Sequence, residues 1–161
     1  MIQRLQTVYL ALVIILTFVG LISNVGEYFV SGQLIAQFSN FTFHSFESFK
    51  AYESAGPWCL SILSIMVIFL SLVSIMLFRK RMRQLRLTIF STILLVGYIA
   101  TYAVFAYFYR ENLAALQPAA DVSFHIPFIG VFPVLSIIFN ILAIHGIRKD
   151  EALVRSLDRL R

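Results

Sequence analysis

Four stretches of the chain, residues 5–22, 57–78, 87–108 and 124–147, each run for 18 residues or more without a Lys, Arg, Asp or Glu. A helix needs about 20 mainly apolar residues to cross a hydrocarbon layer about 30 Å thick, so each stretch reads as a membrane span. Charged residues make up 13% of the chain, roughly half the usual share of about 25%, too few to coat a water-soluble surface around so much apolar side chain. The pattern predicts an all-α integral membrane protein: a single domain over residues 1–161, folded as a bundle of four transmembrane helices.

Span one, with Arg4 before it, has the outline of a signal peptide. The residues ahead of a cut near Ser23 are Leu21 and Ile22, not the small side chains that a signal peptidase requires, and the segment is read as an uncleaved span. Pro57 suits the first turn of span two, where its missing N–H costs nothing. Pro133, well inside span four, removes a backbone hydrogen bond and predicts a kink.

Charge sets the orientation. Eleven of the 13 Lys and Arg residues fall in the N-terminus, the 79–86 loop (Arg79, Lys80, Arg81, Arg83, Arg86) and the tail 148–161, which opens with Arg148 and Lys149. The outer loop 24–56 and the 109–123 connection hold Lys50 and Arg110 against five acids. Lys and Arg that flank spans are retained on the cytoplasmic side, which places both termini there, as an even number of spans also requires. Anionic headgroups are then the natural counterpart of the net charge of +5, and no nucleic-acid partner is expected.

The tail itself is patterned. Leu153, Leu157 and Leu160 recur at i, i+4 and i+7, one stripe of a helix. Glu151 and Arg155 form an i,i+4 pair in the favourable order, and Arg159 lies toward the C-terminal end, where the helix dipole favours a cation. Gly146 offers a bend away from span four. Two readings follow: a cytoplasmic amphipathic helix on the bilayer surface, or a helix that docks a protein partner through these leucines, Glu151, Arg155 and Arg159.

On the other side, FSNFTFHSFESFKAY (38–52) alternates apolar and polar around Phe41 and Phe43 and spaces its aromatics by three from Phe46 onward. This predicts a short β-hairpin built from GEYFV (26–30) and NFTF (40–43), then a helical turn into Pro57, with the rings at the membrane interface. Asn40-Phe41-Thr42 fits the glycosylation pattern, a match too short to be informative.

Reactive chemistry is scarce. Ionisable side chains inside spans mark ion paths and proton relays; their absence argues against proton-coupled exporters. Cys59 is the only cysteine, so no intramolecular disulfide can form. His125 and His145 are separated by about 30 Å of helix, and His44 is in the outer loop, so no zinc set emerges. No enzymatic activity and no cofactor are expected. Tyr98, Tyr102, Phe105 and Tyr109 share a face of span three. With Pro133 and Asn140 of span four they form a face for packing or for an apolar ligand. Asn140 requires polar partners in hydrocarbon, which serines and threonines of neighbouring helices can supply. Ser61, Ser64, Ser71 and Ser74 lie on one arc of span two, where small hydroxyl residues let helices approach closely, within the bundle or across a homodimer.

The two ends of the chain, MIQRLQTVYL (1–10) and IRKDEALVRSLDRLR (147–161), resemble those of a bacterial family of short four-span membrane proteins classed as a domain of unknown function. LVSIMLFRKRMRQLRL (72–87) is similar to the family's basic second loop, and FIGVFPVLSIIFNILA (128–143) to its fourth span. The resemblance implies a bacterial inner-membrane location and transfers no activity or catalytic residue. The first expectation is therefore a non-enzymatic accessory or scaffold protein that docks a cytoplasmic or membrane protein through its tail. The second is a protein that binds or transports a lipid, quinone or other apolar molecule within the bundle.

Overall fold

The computed structural model describes residues 2–46, 57–78, 80–116 and 122–158, with the backbone alone at 2–4, 116 and 153–158. In chain order the elements are α1 (Ile2–Ile22), β1 (Asn24–Val30), β2 (Gln33–Ser39), β3 (Phe43–Ser45), α2 (Trp58–Met76), α3 (Arg81–Leu116), β4 (Val122–His125), a 3-10 turn (Phe128–Val131) and α4 (Phe132–Asp158). All four helices are long and apolar enough to cross a membrane. α1 packs on α2 and α4, and α3 packs on the same two, so the helices stand in a square.

Helix α2 shows what holds the square together. It buries Leu60, Ser61, Ser64, Val67, Ser71 and Ser74 and exposes Ile62, Ile65, Phe69 and Leu72. Small hydroxyl side chains face inward and large apolar ones outward, the reverse of a helix that packs in water. Such small residues allow close approach where hydrocarbon removes the hydrophobic drive between helices. The four serines are buried within the single chain.

Helix α3 is longer than the expected 87–108. Its 36 residues rise about 54 Å at about 1.5 Å each, well beyond a layer of about 30 Å. One end extends back through Arg81, Arg83 and Arg86. The other stands past the apolar stretch and carries a β-sheet, which corrects the all-α expectation.

The sheet is four-stranded and antiparallel, in the order β3-β2-β1-β4. β1 and β2 form a hairpin whose two turn residues, Ser31 and Gly32, both have positive φ, 51° and 80°, the turn geometry that follows strand twist. The expected hairpin of 26–30 with 40–43 is thus replaced. GEYFV pairs with residues 33–39, Tyr28 lying opposite Ala36, and Phe43 belongs to the third strand.

The fourth strand takes its last two residues, Phe124 and His125, from the stretch assigned above to span four. Phe124 lies opposite Tyr28, and His125 opposite Glu27. Hydropathy could not mark this boundary, because the strand runs into the span without a charge between them. Pro133 is consequently the second residue of α4, where its missing N–H interrupts nothing, and the expected kink has no cause.

Helix α4 continues unbroken to Asp158, so the tail extends span four as a single element. Gly146 serves contact instead of bending: a Cβ there would meet Gln6 Cγ of α1 at 3.0 Å.

Candidate functional site

The aromatic face of span three is the seat of the sheet. Alternation along the strands turns Tyr28, Phe38, Phe43 and Val122 toward α3, and an irregularity of β1 between Asn24 and Gly26 adds Val25; they join Tyr98, Tyr109 and Leu113 in one buried cluster. Phe43 stacks on Tyr109 with ring centroids 4.4 Å apart, Phe38 on Tyr102 at 5.5 Å, and Phe105 on Tyr109 at 5.9 Å. Hydrogen bonds fix the register between sheet and helix. Tyr28 OH donates to Ala106 O at 2.9 Å, and Tyr102 OH donates to Val25 O at 2.6 Å. Burial, seconded by the nearby Tyr102 and Tyr109 phenols, pushes the Tyr28 pKa up, so this group remains a neutral donor.

Below the sheet, Asn40 plugs the near end of the bundle. Its Nδ2 donates to Gly20 O of α1 at 2.7 Å, its Oδ1 accepts from Tyr98 OH of α3 at 2.8 Å, and its backbone O accepts from Ser61 Oγ of α2 at 2.6 Å. One loop residue thus joins three helices. Being fully buried, it is no surface acceptor for a glycan.

Little space remains inside the bundle, between the span-three aromatics and span four, where an apolar ligand was expected. The void between Tyr98, Thr17, Ser64 and Pro133 measures about 10 Å³, at the lower limit for one water molecule and far below a lipid or quinone. Deeper in, Asn140 Nδ2 donates to Ser91 Oγ at 3.2 Å, the kind of partner its position demanded. Of the six residues proposed for the ligand face, Tyr98, Tyr102, Phe105 and Tyr109 hold the sheet and its loop, Asn140 bonds within the bundle, and Pro133 opens α4.

The opposite end carries a polar latch. Gln6 Nε2 of α1 donates to Asp150 Oδ2 of α4 at 2.7 Å, with both residues buried. Arg81 at the start of α3 donates to Asp150 O at 3.0 Å. Nearby, Ser74 Oγ and Thr88 Oγ1 lie 3.0 Å apart, joining α2 to α3. Lys80, Arg83, Arg86, Arg148 and Lys149 are exposed, while Arg79 lies outside the described residues.

The tail residues are described unevenly. Glu151 is half-buried and engaged. Leu153, Arg155 and Leu157 are helical in backbone, and their side chains lie outside the described residues, as do Arg159 and Leu160 entirely. His44 and His125 lie on the sheet at positions alternating with its buried face, and among the described residues no group of three or more His, Cys, Asp or Glu could hold a metal.

Sequence reasoning missed Asn40, Gln6 and Asp150. A signal for Asp150 existed. Among the described side chains of α4, the buried ones are Ser136, Asn140, Ala143, Ile147 and Asp150, spaced four, three, four and three. That spacing follows the contact seam of packed helices and places Asp150 with the bundle, not with the tail.

A family model described as "Domain of unknown function (DUF4293)" matches residues 2–160. No curated protein matches the chain.

Proposed function

The chain belongs to the DUF4293 family, and within it we propose a non-enzymatic, four-span bacterial inner-membrane protein that docks a protein partner through its cytoplasmic tail. The observation that carries the reading is the unbroken course of α4 from Phe132 to Asp158, pinned at Asp150 by Gln6 and Arg81. A helix bound to the bilayer surface must turn away from its span. This one leaves the bundle along the span's own direction, which carries the Leu153 and Leu157 stripe away from lipid. Apolar side chains held off the membrane need another cover, and a protein supplies it.

The same geometry supports an orientation. The exposed basic residues collect at the Gln6–Asp150 end, which is cytoplasmic by the retention of Lys and Arg, and the sheet is extracytoplasmic. Photo-crosslinking residues placed in living cells at 153 and 157, with 152 and 158 as controls away from the leucine stripe, test the docking. Capture of one protein confined to 153 and 157, and lost when Leu160 is also replaced by Asp, is expected. Crosslinks to lipid at both leucines would refute docking and restore the surface helix. A reporter at either terminus that proves extracytoplasmic would overturn the orientation.

A further inference from the structure

Sheet and bundle leave a groove between them. It lies along α3, opposite β4, and measures about 620 Å³, within the range of about 300–1,000 Å³ that small-ligand pockets occupy. Its floor is Tyr102, Ala103 and Ala106, its far wall is Phe124 and Ile126, and Arg110 stands at one end. We propose that this groove binds an anionic phospholipid of the outer leaflet, its acyl chain along Ala103 and Ala106 and its phosphate at Arg110.

Position along the helix supports this choice of occupant. Counting from Leu87, the first apolar residue after the basic segment, about 20 residues cross the hydrocarbon layer and bring α3 out near Tyr107. The groove therefore starts within the apolar layer at Tyr102 and ends about 12 Å farther along the helix, beyond its outer edge. A molecule with an apolar tail and a charged head, already oriented by the bilayer, fits that gradient.

Charge agrees. Among the described residues on the sheet side, Arg110 is the cation and Glu27 and Glu111 are the acids. Arg110 Nε donates to Val122 O at 3.3 Å, which holds the guanidinium over the groove by one of its donors. Glu111 is not part of the lining; it accepts from Tyr107 OH at 2.6 Å. A planar cation with further N–H donors recognises a phosphate, and a net-negative lipid brings no amine to compete with it.

The test is native mass spectrometry of the full chain released from phosphatidylcholine nanodiscs containing a minor fraction of phosphatidylglycerol. One selectively retained phosphatidylglycerol per chain is expected. Arg110→Gln should weaken that retention about tenfold, the scale of one charge-assisted hydrogen bond, and Arg110→Lys should restore part of it. Ala103→Phe, at an exposed position, should fill the groove and abolish retention with the charge intact. Val104→Phe, on the neighbouring exposed face, should change nothing. Equal retention in wild type and Arg110→Gln, no preference over phosphatidylcholine, or protein crosslinks from a probe at 103 would each overturn the proposal.

Discussion

Asn40 is a short side chain with three obligations, and removing it should show how the two halves of the fold depend on each other. In Asn40→Ala, Gly20 O and Tyr98 OH both lose their partner inside a site with no solvent exposure. A buried polar group left unpaired costs about 1–3 kcal/mol, so the variant should lose roughly 3–5 kcal/mol once the small void is included. Tyr98→Phe leaves only Asn40 Oδ1 unpaired and should lose about 1–2 kcal/mol.

The double variant separates the contributions. With Asn40 gone, Tyr98 OH is an orphan, and removing it relieves a penalty. The double loss should therefore fall short of the sum by about 1–2 kcal/mol, whereas independent sites add within about 0.5 kcal/mol. Trp58 reports the event: it is the only tryptophan and lies edge-on to Phe41, next to Asn40, at 6.4 Å between ring centroids. Equilibrium unfolding in mixed micelles, followed by its fluorescence, gives all four stabilities. Additive losses, or an Asn40→Ala variant within 1 kcal/mol of wild type, would refute the account of Asn40 as the bond between loop and bundle.

Gly26→Ala would place a Cβ 2.6 Å from Phe38 Cδ1 and 2.8 Å from Phe124 Cε2; ring atoms on both sides of one methyl should cost at least about 1–3 kcal/mol, seen as protease cleavage in the hairpin. At the other end, Asp150→Asn keeps an acceptor for Gln6 and should cost less than about 1 kcal/mol, while Asp150→Leu strands the amide and should cost about 2–3 kcal/mol; equal stabilities would remove the latch. Tyr28 has its pKa raised from the model-peptide value of 10.0 by burial, so the folded state holds a proton that the unfolded state releases. Its contribution is complete below about pH 10 and is lost as the pH rises above it; alkaline unfolding curves should flatten in Tyr28→Phe, and identical curves would refute the linkage.

Reading from the sequence succeeded where one physical variable sufficed. Hydropathy located four helices, because an uncharged run of 18 to 24 mainly apolar residues leaves the chain little choice. It failed at the ends of those helices. Leu113 is as apolar as Leu95, yet lies beyond the span and under the sheet; Phe124 is as apolar as Phe128, yet belongs to a strand. Nothing local separates a ring bound for lipid from a ring bound for a β-sheet, since both are paid for by removal from water. The hairpin was legible in GEYFV and illegible in QLIAQFS, where Ile35 between Leu34 and Ala36 interrupts the alternation that marks a half-buried strand. Pairing chose the partner: the Ser31–Gly32 turn brings 33–39 against β1 directly, and the closer partner in sequence costs less loop entropy.

The aromatic stripe of α3 carries the broader point. Four rings at a spacing of four, three and four over residues 98–109 admit packing and ligand binding equally, and composition cannot choose between them. Length chooses. From Leu87, a layer of about 30 Å would be crossed in about 20 residues, a length that includes Tyr98 and ends before Tyr109. A ring outside the hydrocarbon cannot be covered by acyl chains and must be covered by protein, which the strands on either side of α3 in sequence provide. That cover also fixes where the remaining opening can lie. With the Tyr98–Tyr109 face occupied by β1, β2 and β3, the free side of the helix next to β4 is where Ala103 and Ala106 leave room, and Arg110 follows one turn later. The small residues that a stripe of aromatics hides in the sequence are what the groove is made from.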